Sequence, residues 1–242
     1  MARKSNPALS IGFENSVADG SLMTVRGTVI KIFILLIILS ATFAYSFIAS
    51  TNPSINFQAM MVVSGIGALI LGFATSFFPK LAQFTAVFYA AFEGMLLGSL
   101  SVTFESIYPG IVLPAILLTL LSVLGTLIIY RRTPVIADKI RKGVFIAMFA
   151  IMGTFLLGFV TSLFGVSLPI FGSGIIGIAF SLIVVCVAVL NLIIDYDFIL
   201  KAAQQGAPKY MEWYGAFGLM VTLIWLYVEI LNLLAKIASN RQ

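Results

Sequence analysis

The chain has 242 residues, of which 61% are hydrophobic and only 10% charged, with a formal net charge of +5 and no histidine. A water-soluble domain of this size covers its surface with about a quarter charged residues. A mean hydropathy of +1.12 excludes such a domain and requires lipid as the solvent for much of the surface. The lack of histidine excludes His-based triads, His metal sites and histidine proton relays. The single cysteine, Cys186, excludes an internal disulfide, a CxxC motif or a zinc cluster, and its apolar surroundings make it a small buried or lipid-facing residue.

From the start of the chain, Met1 to Arg26 is polar and mixed in charge, with turn signals at Asn6-Pro7 and Asp19-Gly20. The first apolar stretch begins only near Thr28 and is long enough to stay in a bilayer, so residues 1–27 read as a flexible cytoplasmic arm of an uncleaved chain. Residues 28–242 read as one all-α transmembrane domain. A crossing needs about 20 apolar residues, which predicts seven helices at 28–48, 58–78, 82–102, 111–130, 143–164, 171–194 and 214–236. No charge occurs between Ile32 and Pro79 or between Gly143 and Ile194; each stretch suits two crossings, broken at Asn52-Pro53 and near Gly165–Pro169. All eight prolines fall in the arm, in loops or in first turns, where a missing N–H costs little. With no internal repeat and no proline-broken span, the pattern does not resemble an inverted-repeat transporter.

Twelve of the fourteen basic residues fall in the arm, the start of the first span and alternate loops: Arg3, Lys4, Arg26, Lys31, Lys80, Arg131, Arg132, Lys139, Arg141, Lys142, Lys201 and Lys209. Only Lys236 and Arg241 lie at the other end. The positive-inside rule then places the N-terminus in the cytoplasm and the C-terminus outside. The same bias accounts for the basic charge without nucleic acid.

Ionisable residues within spans carry the functional information, since a central acid costs about 2.5–3.5 kcal/mol on insertion scales and faces protein or water. Thr222, Trp225, Glu229 and Asn232 share one face of the last helix, a polar stripe suited to lining an interior path. The plainer reading is a protonated Glu229 bonded to Asn232 and a neighbouring helix. Glu93 precedes a GxxxG pair, Gly94 and Gly98, where another helix can approach closely. Asp195 and Asp197 point about 200° apart on a helix of ~3.6 residues per turn. Asp195 shares a face with Asn191 and is the better interior candidate, whereas Asp197 has an equally good reading as an acid reaching interfacial water. Glu212 sits at the edge of the last span beside Tyr210, Trp213 and Tyr214, a set suited to an interfacial anchor. At about 1.5 Å per residue, Glu229 lies roughly 25 Å further along that helix, so pairing it with Asp195 requires the helix to begin below the bilayer. Gly172-Ser-Gly174-Ile-Ile-Gly177 matches a dinucleotide fingerprint but follows no strand, and is read as packing.

Several strings resemble one family. Leu190-Asn-Leu-Ile-Ile-Asp-Tyr-Asp-Phe-Ile, Gly206-Ala-Pro, Met211-Glu-Trp-Tyr and Leu226-Tyr-Val-Glu-Ile-Leu-Asn-Leu-Leu are similar to the C-terminal third of the Bax inhibitor family, most closely its bacterial branch. Met23-Thr-Val-Arg-Gly and Phe92-Glu-Gly-Met-Leu-Leu-Gly fit the same resemblance, which covers nearly the whole chain. It implies six helices around a central seventh and a pH-sensitive calcium leak in the inner membrane, gated by an acid pair on the sixth and seventh helices. Carried over, the seventh-helix acid is Glu229; the sixth-helix acid is Asp195 or Asp197, with Asp195 favoured by the shared face with Asn191. Asp195 and Glu229 would then meet calcium as a permeant or bound ion, with no other cofactor. The stretch between the two acids is longer than the family pattern, and the second span carries no basic residue. Two close carboxyls in low dielectric would share a proton and latch the helices; once ionised, they would draw in a hard divalent cation. Two other readings compete: a proton-coupled small-solute transporter, and a non-conducting regulator that binds a membrane protease or another membrane protein. No nucleophile–base pair points to an enzyme.

Overall fold

The computed structural model describes residues 22–52, 54–166 and 168–240. The expected arm lies largely outside the described residues, together with Arg3, Lys4, Asn6-Pro7 and Asp19-Gly20; so do Pro53 and Arg241. Seven helices follow in order: α1 (Val25–Ser50), α2 (Phe57–Phe77), α3 (Ala82–Ile107), α4 (Val112–Arg132), α5 (Ile136–Leu163), α6 (Ile175–Gln204) and α7 (Met211–Ser239). All seven are long and apolar enough to cross a membrane. Among the described residues there is no strand, only an isolated bridge between Leu22 and Pro208. The chain is an all-α, multi-pass membrane protein.

Each helix overlaps its predicted span, and several run further. α5 starts at Ile136 rather than 143, and α6 continues to Gln204 rather than 194. Hydropathy marks where the chain is apolar, whereas helical hydrogen bonding continues into the charged turns beyond. Local chemistry sets the ends. Thr24 caps α1 by accepting from the Gly27 N–H, and Asn56 caps α2 by accepting from Ala59 N–H. Pro79 and Pro169 each open a short 3-10 turn ahead of α3 and α6, and Pro114 sits in the first turn of α4. The turns at Gly110, Gly165 and Gly206 have φ of 88°, 74° and 71°, which a side chain would oppose. Within the spans, hydroxyls such as Thr42, Thr75, Ser99, Thr119 and Thr154 donate to carbonyls one turn back, so they satisfy themselves in an apolar setting.

The chain divides into two compact units: Met1–Ser99 with Asp197–Met220, and Leu100–Tyr196 with Val221–Gln242. In the first, Gly94 and Gly98 bring α3 against α1. A Cβ at Gly94 would strike Thr42 and the Leu39 carbonyl, and one at Gly98 would lie 2.6 Å from Ser46 Cβ. Ser46 Oγ in turn donates to the Met95 carbonyl at 3.0 Å. The GxxxG pair is therefore a packing site. In the second unit, Val144 and Ile151 of α5 meet Val184 and Val187 of α6, with Trp225 of α7 packed on the cluster. α7 has the largest buried share of any span, 56% of its most apolar window against 11% for α5.

Candidate functional site

Among the described residues of the second unit, polar contacts join α6 and α7 at two levels. At the first, Asn191 Nδ2 donates to Thr222 Oγ1 at 3.0 Å and reaches Asp195 Oδ2 at 3.5 Å. The Thr222 hydroxyl also hydrogen-bonds to Asp195. Asn191 and Asp195 are one turn apart on α6, so both face Thr222. This triad joins the last two helices, with Leu192 of α6 wholly buried. The predicted pairing of Asn191 with Asp195 on one face holds, and its partner across the interface is Thr222.

At the second level lies Glu229, which is 6% exposed. It accepts from Trp225 one turn earlier, the side that the plainer sequence reading had assigned to Asn232 one turn later; Asn232 itself is half-buried. Lys236, in the last turn of α7, interacts electrostatically with Glu229. Its ammonium donates to Ser181 Oγ at 2.8 Å and lies 3.3 Å from the Gly177 carbonyl and 3.5 Å from that of Ile170. Lys236 thus turns back into the protein and is not a free charge beyond the last span.

These contacts fix the register of the two antiparallel helices. Asn191 meets Thr222 and Ser181 meets Lys236, so Glu229 lies about 10 Å beyond the Thr222 level at ~1.5 Å per residue. The structure does not bring Asp195 and Glu229 together as a pair: the first carboxyl is engaged at Thr222 and the second accepts from Trp225. Among the described residues, no group of three or more Asp, Glu or Cys side chains is arranged to hold a metal ion.

The remaining acids have separate surroundings. Asp197 is 3% exposed and pairs with Lys201 at 2.8 Å, one turn along α6, so it is an enclosed ion-paired acid in place of the water-facing alternative. Asp195 is the more accessible of the two. Glu93 is half-buried on α3, within electrostatic reach of Tyr89. Glu212, expected at an interface, is fully enclosed. It accepts from Lys31, from the Thr24 N–H and hydroxyl at 2.9 Å each, and lies 3.4 Å from Lys209 Nζ. Lys31 also lies 5.4 Å from the Trp213 ring centroid. Above this clamp, Met23 N–H donates to the Ala207 carbonyl at 2.8 Å. Sequence reasoning missed the Glu212 and Lys236 clusters. The available signals were Lys31, a base set into an apolar helix, and Ser181, a lone hydroxyl in a long apolar run.

A family model described as Bax inhibitor 1 like matches residues 3–239. No curated protein and no solved structure matches the chain.

Proposed function

The chain belongs to the Bax inhibitor 1 like family, and from that premise we propose that it is a calcium-conducting leak of a bacterial inner membrane, controlled by protons through carboxyls of α6 and α7. The observation that carries this reading is the Asn191–Thr222–Asp195 triad, an ionisable group bonded across the interface of two membrane-spanning helices. Such a group is retained at a cost of a few kcal/mol, and lipid-embedded helices keep them where ions or protons pass. Glu229 forms a second station further along α7. The two carboxyls therefore act in series along one helix pair, not as a proton-sharing dyad. When protonated, Asp195 is neutral and is satisfied by Thr222 and Asn191. When ionised, it leaves a charge for which a hard divalent cation, with its demand for oxygen ligands, is the natural partner. In this reading the N-terminus is cytoplasmic and the C-terminus outside, which the distribution of lysine and arginine favours.

The test is calcium flux into proteoliposomes across a pH series. Asp195→Asn and Glu229→Gln should each lower flux and flatten its pH response, and the double variant should remove the response. A double variant that leaks with the wild-type pH profile overturns the proposal. Purified wild type that passes no ion, yet captures a membrane-protein partner, would establish the non-conducting regulator instead. Proton-driven solute uptake indifferent to calcium would establish the transporter.

A further inference from the structure

The basic residues are neutralised unevenly. Lys31 and Lys209 face Glu212, and Lys201 pairs with Asp197 at 2.8 Å. The turn between α4 and α5 differs. Residues 131–142 hold Arg131, Arg132, Lys139, Arg141 and Lys142 against one acid, Asp138. Asp138 lies 3.9 Å from Arg141, one turn along α5. Among the described residues no acid lies within ion-pair distance of Arg131, Arg132, Lys139 or Lys142, and all four are exposed.

Local structure gathers these charges on one surface. Only Thr133, Pro134 and Val135 separate α4 from α5. Ile136 N–H donates to the Thr133 carbonyl at 3.1 Å and Ala137 N–H to that of Pro134 at 3.3 Å, so the link is a closed turn and the two helix ends lie side by side. Ala137 is wholly buried, and Ile140 and Val144 pack in the cluster shared with α6. That inward face leaves Lys139 and Lys142 on the outward one. Arg131 and Arg132 fall in the last turn of α4, where cations suit the carbonyl end of a helix. About one turn further into the spans, Ile128 and Ile129 of α4 and Phe145 and Ile146 of α5 are exposed apolar side chains. A turn is ~5.4 Å, so with those side chains among acyl chains the bases stand at headgroup depth.

We propose that the α4–α5 turn is a docking surface for the headgroups of anionic phospholipids, with Arg131, Arg132, Lys139 and Lys142 as its phosphate-binding cations. A zwitterionic headgroup carries an ammonium beside its phosphate and brings no net charge. An anionic phospholipid brings the negative charge that the turn itself lacks. The planar guanidinium of arginine matches two phosphate oxygens at once, and lysine adds a compact charge on a flexible stem. Basic clusters just beyond a membrane helix are drawn to acidic leaflets by this attraction. A role in orientation alone uses the charges during insertion and gives the folded protein no lipid preference, so the two are separable. The surface does not depend on any ion passing through the protein.

The test reads lipid beside the turn. In the full chain on a Cys186→Ser background, Ile128→Cys carries a bimane fluorophore, and the vesicles are phosphatidylcholine. The probes are phosphatidylglycerol and phosphatidylcholine spin-labelled on the acyl chain near the headgroup, which quench bimane on contact. Phosphatidylglycerol should occupy the neighbouring positions in preference to phosphatidylcholine on the order of fivefold. Salt at about 1 M, where the screening length is ~3 Å, should remove most of that preference. The same fluorophore at Leu113→Cys, exposed at the opposite end of α4, should show none. Arg131→Gln with Arg132→Gln, or Lys139→Gln with Lys142→Gln, leaves three bases in the turn to hold the orientation. Each pair should lower the preference, and the four together should abolish it, whereas Lys80→Gln should leave it unchanged. Equal quenching by the two lipids at Ile128→Cys, or a preference unaltered in both paired variants, overturns the proposal. A preference abolished by millimolar inorganic phosphate at constant ionic strength also overturns it, and assigns the cations to a soluble phosphate compound instead.

Discussion

Glu212 and Glu229 lie on the same helix, and their neighbours give them different tasks. Glu212 is fully enclosed and accepts from Lys31 and from both the N–H and hydroxyl of Thr24. Two of those donors belong to the residue that caps α1, so the carboxylate ties the start of α7 to the start of α1 within one unit. Removing one partner of an enclosed charge leaves the other uncompensated. Lys31→Met should therefore lower stability by about 2–3 kcal/mol, seen as an earlier unfolding midpoint in detergent with the pH response of flux retained. Glu212→Gln keeps an acceptor for Thr24 and should cost less. Tyr227→Phe removes a 2.6 Å hydrogen bond to Ser101 inside the second unit and should cost about 1 kcal/mol by the same measurement. Each of these acids and bases was visible in the sequence as an ionisable residue at or inside a span. Their partners were not, because Lys31 and Glu212 are separated by 181 positions.

Between elements, contact distance is set by the smallest residues and register by the few polar ones. Gly98 leaves no room for a side chain against Ser46 and the Phe43 carbonyl. Gly98→Val should force α3 away from α1 and be lost as aggregate on size exclusion, whereas Gly125→Ala on α4, where a Cβ meets nothing within 4 Å, should purify like wild type. The GxxxG spacing announced this contact, since two glycines four apart must lie on one helix face. The α6–α7 register was less accessible. Helical periodicity puts Asn191 and Asp195 on one face, and likewise Thr222 and Glu229, but it says nothing of how far one helix slides along the other. That slide is fixed by Asn191 on Thr222 and Ser181 on Lys236, and it separates the two carboxyls that the family resemblance would pair.

For the whole chain, the distribution of charge gives an orientation that can be checked directly. On a Cys186→Ser background, Ser239→Cys should label with an impermeant maleimide applied to intact cells, and Lys139→Cys only after permeabilisation; the reverse pattern would invert the topology. The sequence by itself determined the solvent, the number of crossings and the candidate acids, because apolar length and charge placement are properties of single segments transferred into lipid. It also determined that charges retained in those segments must be enclosed or paired. Only the tertiary structure decided which polar group meets which: Asp195 with Thr222, Glu229 with Trp225, Lys236 with Ser181, and Glu212 with Lys31. The physical reason is that a bonding partner depends on the axial offset and rotation of packed helices, and these follow from side-chain fit between segments far apart in the chain.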